Sequence, residues 1–252
     1  MNENENIEIR GNVDFTFEDY LSEISLWSLI GAGHNINVLK KIVDAYFNSD
    51  RRLKIPRILV CGPEGTGKRT VSHAFINSLT IERFTFIESE FLDSPFGRKR
   101  IFENGSDRAV IIGHVEKLNQ QNKSILWQYL AFRKCYYHNF KNNDWEIVHY
   151  DGILVLTANQ KELISKELLK NIDVIVELEH YQPHQIMLIL QQKLSYMNIC
   201  YDEKSFELLL NSFGGKLEKL MHLLKLGIIS MMSDGREKLI IKDVEWAIKN
   251  YD

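Results

Sequence analysis

Cysteine, long apolar runs and net charge are all scarce in this chain, and each scarcity removes a class of function. The three cysteines, Cys61, Cys135 and Cys200, stand at no metal-binding or redox spacing. No segment approaches the roughly 18 consecutive apolar residues of a membrane-crossing helix. The opening stretch Met1 to Gly11 is rich in Asn and Glu and lacks the basic and apolar regions of a signal peptide. Residues 1–14 are therefore expected to form a disordered tail, the compartment is expected to be cytoplasmic, and no membrane contact is expected. A net charge of −3 and a pI near 6.3 give no whole-chain attraction to nucleic acid. The triplet Arg98, Lys99, Arg100 reads as a solvated loop rather than a phosphate contact, so nucleic-acid binding stays open without support from charge. His34, His73, His180 and His184 are scattered and read as ordinary surface or core residues.

What is present is 44% apolar and 26% charged residues over 252 positions, enough for one α/β core and a small attached subdomain. Ile36 to Phe47 carries apolar residues at helical spacing. Arg57-Ile-Leu-Val-Cys61 is then a short apolar run that stops at Gly62-Pro63, so a helix is followed by a buried strand. Apolar runs at Phe84 to Ile87, Ala109 to Ile112, Ile153 to Thr157 and Val174 to Leu178 alternate with helical or polar stretches. That rhythm predicts an α/β fold with a five-stranded parallel sheet.

Between Phe140 and Gly152 the chain turns polar and aromatic, with Lys141 to Asp144 as a turn, which predicts a protruding hairpin. The cluster Trp127, Tyr129, Phe132, Tyr136, Tyr137 reads as helix core and hairpin packing rather than a platform for stacking bases. After Glu179 the pattern becomes helical. One helix starts at Pro183, one is capped by Asp202, a third runs from the Gly214-Gly215 break to about Met231, and a last begins near Asp243.

The run Gly62-Pro-Glu-Gly-Thr-Gly-Lys-Arg-Thr70 follows a predicted strand and precedes a helix starting near Lys68, the context of a phosphate-binding loop. Its glycines let the backbone bend until N–H groups converge on phosphate, the helix N-terminus adds a positive dipole, and Lys68 adds a full charge. One position departs from the pattern. The residue after the lysine, ordinarily a Ser or Thr whose hydroxyl ligates Mg²⁺, is Arg69, with Thr70 displaced by one. A helix turns by about 100° per residue, so Thr70 does not inherit the duty. Arg69 either extends into solvent, as long basic side chains usually do, or lends its guanidinium to the phosphates in place of part of the metal's charge.

On these residues the chain resembles the AAA+ superfamily of P-loop ATPases, and within it the RuvB branch, the motor of Holliday-junction branch migration. The similarity spans about Phe15 to Asn250. Leu29-Ile30-Gly31 resembles the adenine-side box, Gly62 to Thr70 the Walker A loop, and Asn159 the sensor-1 residue ending the fourth strand. Tyr181-Gln182-Pro183 resembles the hinge, and the helices beyond it the lid. The resemblance implies a nucleotide-binding α/β domain over 15–180 and a helical lid over 181–252. It also implies ATP or ADP held by Ile30, Gly31, Pro63, Glu64, Gly65, Thr66, Gly67, Lys68, Arg69, Thr70, Asn159 and Tyr181.

The resemblance further implies hydrolysis, yet the residues for it are altered. Where an Asp-Glu pair would close the third strand, this chain has Gly113-His114. Glu116, two residues on, reads as a surface helix residue rather than a displaced base. The segment of the trans-acting arginine reads Lys170-Asn171-Ile172, and the sensor-2 position holds Leu217 beside Lys216. Mg²⁺ is thereby in doubt, and no catalytic residue or metal ligand is assigned. RuvB motors continue into a DNA-binding winged helix, and none is expected from the residues up to Asp252.

Three readings follow. The favoured one is a nucleotide-binding AAA+ protein with degenerate hydrolytic motifs, acting as a structural or regulatory subunit of a homo- or hetero-oligomeric assembly, or as a nucleotide-dependent switch. The second is a working motor with Glu116 or His114 as base and Arg69 in place of metal charge. The third is a protein interaction module without nucleotide.

Overall fold

Strands made of Ile, Leu and Val on both faces need helices above and below them, and this requirement organises the first two thirds of the chain. The computed structural model describes residues 21, 23–31, 33–93, 109–139, 144–149, 151–212 and 216–251. The N-terminal tail, the Arg98 triplet, residues 140–143 of the expected hairpin turn and the Gly214-Gly215 break lie outside them.

The elements of the first region are, in chain order, α1 (Asn37–Asn48), β1 (Ile58–Cys61), α2 (Lys68–Ser78), β2 (Phe84–Glu88), β3 (Ala109–Gly113), α3 (Gln120–Phe132), β4 (Lys134–Asn139), β5 (Asp144–His149), β6 (Ile153–Ala158), α4 (Lys166–Leu169) and β7 (Val174–Glu177). The five predicted sheet strands are the five observed. They pair in parallel in the order β2-β3-β6-β1-β7. Strands β1 and β3 are buried at every residue, and Leu59, Val110 and Leu156 meet Leu126 and Leu130 of α3 in one core. Each such side chain contributes about 1.5 to 3 kcal/mol on burial.

The start of β1 is tied to the segment before β7 by a fork. Arg57 Nε and Nη2 donate to the two Asp173 carboxylate oxygens at 2.9 and 2.8 Å. The Arg57 fork holds the Asp173 carboxyl below the usual carboxylate range, against the opposing effect of burial.

Strands β4 and β5 form the predicted antiparallel hairpin, with Tyr136 opposite Ile147 and His138 opposite Trp145. The aromatic cluster divides differently from the expectation. Tyr129 is buried, whereas Trp127 and Phe132 are 37% and 57% exposed and meet each other edge-on at 5.5 Å. They stand on the outer side of α3, away from the Leu126 and Leu130 stripe that faces the sheet. The side chains of Tyr136 and Tyr137 are outside the description.

The chain divides into compact units at His180 and Tyr181. The second contains α5 (Pro183–Tyr196), β8 (Cys200–Tyr201), α6 (Glu203–Asn211), α7 (Leu217–Ser233), β9 (Lys238–Leu239) and α8 (Ile241–Lys249), with β8 and β9 paired in parallel. Leu190, Leu194, Leu220 and Leu223 are completely buried in its own core. Asp202 caps α6, accepting from the Ser205 N–H at 2.8 Å. Buried Asp243 takes a fork from Arg236 at 2.8 and 2.6 Å and a bond from the Ser230 hydroxyl at 2.9 Å. No described helix is long and apolar enough to cross a membrane.

Candidate functional site

Parallel sheets offer their carboxyl ends to ligands, because loops and helix N-termini converge there. The Gly62 N–H donates to the Ala158 carbonyl at 3.2 Å, which fixes the start of the phosphate loop beside the end of β6. Gly65 and Gly67 have φ of +77° and +81°, a left-handed conformation that glycine adopts without steric cost. Gly67 is the N-cap of α2, and the first helical bond runs from the Val71 N–H to the Gly67 carbonyl at 2.8 Å. The N–H groups of the first turn therefore have no intrahelical acceptor and suit an anion. Lys68 is only 8% exposed, and its Nζ donates to the Gly62 and Pro63 carbonyls at 2.8 and 2.9 Å. The lysine is curled back over its own loop, at the place a phosphate would take. Thr66 is buried, with its hydroxyl donating to the Pro63 carbonyl at 2.8 Å. Glu64 and Gly65 are exposed, while Pro63 and Thr70 are half-buried.

Arg69 does not extend into solvent. Its guanidinium lies over the Phe86 ring at 4.3 Å, and its Nε is buried without a partner. A flat aromatic face beside the helix start explains this, since a guanidinium stacks on it at little cost in hydration. His73, one turn further along α2, meets Phe84 edge-on at 5.0 Å. Burial, aided by the charge of Arg69, lowers its pKa to about 4.

The end of β3 differs most from expectation. His114 is left-handed, with φ of +53°, and begins a short 3-10 turn, Val115–Lys117. That turn swings Glu116 inward instead of placing it on a surface helix. Its side chain is 7% exposed, its Oε1 accepts from the Asn159 N–H at 3.0 Å, and His114 Nδ1 is 3.5 Å away. The other oxygen, Oε2, and the Asn159 Oδ1 are both buried without a hydrogen-bond partner. Glu116 and Asn159 thus meet one residue beyond the Ala158 contact with the loop.

The remaining expected residues are spread more widely. Gly31, with φ of +81°, and half-buried Ile30 precede the 3-10 turn His34–Ile36. That turn is held to the end of β7 by Asn35 Nδ2 donating to the Glu177 carbonyl at 2.6 Å. Tyr181 belongs to the helical unit and packs on its core. Leu217 is the first residue of α7, and Lys170 is exposed after α4. Among the described residues no group of three or more His, Cys, Asp or Glu side chains is placed to hold a metal ion by itself. Glu88, to which the sequence drew no attention, is the direct partner of Gly113 across β2 and β3. Only strand register reveals it.

No family model matches the chain. Among curated proteins it is similar to the Holliday junction branch migration complex subunit RuvB of Kosmotoga olearia. The two are 22% identical over 203 residues, which are 79% of this chain and 59% of that protein's length. Among solved structures it is similar to the Thermotoga maritima RuvB Holliday junction branch migration motor, with a TM-score of 0.69 and 18% identity over 91% of this chain and 72% of that one. A mutant of the same Thermotoga protein gives 0.72 and 18% over 89% and 72%. Sheet order, loop geometry and these likenesses together identify the fold of this chain as that of a RuvB-like AAA+ P-loop domain.

Proposed function

We propose that the chain is a nucleotide-binding AAA+ subunit that holds ATP or ADP far better than it cleaves ATP, and that it serves as a structural or regulatory partner or as a nucleotide-dependent switch. One contrast carries the reading. The loop keeps its left-handed glycines, buried Lys68 and open first helical turn, while the end of β3 presents Gly113 and His114 where hydrolysis uses two carboxylates. A phosphate would take Lys68 from the Gly62 and Pro63 carbonyls and accept from the first-turn amides, with Pro63 to Thr70 around it and Asn159 near its outer edge. Within the α/β unit, Ile30 and Gly31 are assigned to the base and sugar.

Calorimetric titration with ATP and ADP tests this. Wild type binds both, and Lys68→Ala weakens binding about 10- to 150-fold, as expected for a charge-assisted contact of about 1.5 to 3 kcal/mol. Absence of binding by wild type at millimolar nucleotide would favour the interaction module instead.

The curated relative is described as a subunit of a complex, and by that likeness the chain is assigned to a homo- or hetero-oligomeric AAA+ assembly. Recovery of the tagged protein from its native host solely as a free monomer would count against this part. Contact with DNA is left to the same experiment, repeated with and without nuclease.

A second reading, slow ATP hydrolysis, is favoured by Glu116. Its buried, unpartnered Oε2 is suited to accept a proton from a water attacking the terminal phosphorus, as the bond to the bridging oxygen breaks and ADP and phosphate leave. Steady-state phosphate release decides it. Turnover should vanish in Lys68→Ala and fall sharply in Glu116→Gln, and turnover that survives Glu116→Gln removes Glu116 from the chemistry.

A further inference from the structure

Residues along a strand alternate between faces, so Phe84, Phe86 and Glu88 share one face of β2. Two side chains of helix α2 reach that face. His73 packs against Phe84 at 5.0 Å and Phe86 at 5.8 Å, and Arg69, one turn nearer the helix start, lies over Phe86 at 4.3 Å. Advancing along β2 thus means moving back along α2 towards Lys68. Glu88, two residues beyond Phe86 on the same face, continues in that direction at the carboxyl end of β2.

The opposite residue, Gly113, leaves room for that carboxylate. A Cβ built on Gly113 would fall against Glu88 Oε2 and 3.0 Å from the Glu88 carboxyl carbon. An aspartate at 113 would hold its own oxygens two bonds from that same Cβ. The Glu88 oxygen therefore occupies the zone that an aspartate at 113 would reach. At this strand end the carboxylate stands on β2 rather than on β3.

We propose that Glu88 is the protein carboxylate of a divalent-cation site that accompanies the bound nucleotide. Mg²⁺ or Mn²⁺ is the class of ion, because such hard cations are held by one or two carboxylates together with substrate phosphates and keep several waters. One carboxylate at the carboxyl end of the sheet that carries the phosphate loop meets that need, and a three-residue protein cage is not required. A second observation points the same way. Glu116 Oε2 and Asn159 Oδ1, just past the ends of β3 and β6, are buried acceptors without donors, and the waters of a hydrated cation are donors. The proposal rests on the nucleotide reading above, and it restores to this chain the metal that Arg69 and Gly113 put in doubt.

The test uses the full chain, with ADP and ATP as nucleotides and Mn²⁺ observed by electron paramagnetic resonance. Wild type is expected to bind Mn²⁺ together with ADP, and to bind ATP more tightly in Mg²⁺ than in EDTA. Glu88→Gln keeps the size of this exposed side chain and removes its charge. It should weaken Mn²⁺ binding by about ten-fold or more and cancel the Mg²⁺ effect, with nucleotide affinity in EDTA unchanged. Gly113→Ala, whose methyl displaces the Glu88 carboxylate without removing it, should give a smaller loss in the same direction. Equal Mn²⁺ binding by wild type and Glu88→Gln, or a wild-type affinity indifferent to chelation, overturns the assignment. Failure to bind nucleotide with or without metal overturns the nucleotide reading itself, and the cation site with it.

Discussion

Two strand ends at the same edge of one sheet, separated only by β6, have gone opposite ways. After β1 the chain has two left-handed glycines and a buried lysine, the features on which the proposed grip on phosphate rests. β3 ends in a glycine followed by a left-handed histidine, and the acidic groups nearby come from elsewhere, Glu116 from a 3-10 turn and Glu88 from the neighbouring strand. The difference teaches that holding phosphate and cleaving it are physically separable. The grip depends on backbone amides fixed by a helix and changes only if the backbone changes. Cleavage depends on side chains at single positions, each of which one substitution alters.

Three experiments break or sharpen this contrast. The largest effect belongs to the helix under the loop. His73 has its pKa lowered from 6.5 to about 4, so the unfolded chain takes up a proton at mildly acid pH and the folded chain does not. The stability this residue contributes is complete above about pH 6.5 and is lost as pH falls towards 4, by about 3 kcal/mol at most. Urea unfolding at pH 7, 5.5 and 4 should show a gap between wild type and His73→Leu that changes by this amount. A gap that stays constant with pH breaks the assignment.

Next comes the loop backbone. Gly67→Ala places a side chain at φ of +81°, which costs about 1 to 2 kcal/mol. Nucleotide affinity in EDTA should fall in this variant and stay at the wild-type level in Gly113→Ala. Equal affinities in the two variants would erase the distinction between the strand ends.

The smallest effect is that of Arg69. Its stacking on Phe86 is worth about 0.5 to 1 kcal/mol, so Arg69→Ala should lower stability by that much, with a double-mutant cycle against Phe86→Ala assigning the loss to the pair. Nucleotide affinity that collapses while stability holds would return Arg69 to the phosphates.

The sheet strands, the hairpin and the phosphate loop were legible because their signals are local. An apolar run such as Ile58 to Cys61 buries itself wherever it lies, and glycines at 65 and 67 mark a backbone that must bend. Three side chains at the site were not legible. Arg69 found an aromatic face on another strand. Glu116 was turned inward by the positive φ of His114, which a residue name does not announce. Glu88 faces Gly113 only through the register of two strands whose connecting segment has no readable pattern.

Left to itself, the amino-acid order was enough to specify the five sheet strands, the hairpin and the strand–loop–helix context of Gly62 to Thr70, since periodicity, glycine freedom and helix ends act over a few residues. Which carboxylates stand near Gly113 and Asn159 was decided by the tertiary structure alone, because a side chain's neighbours across a parallel sheet are set by register and by the turns that follow the strands.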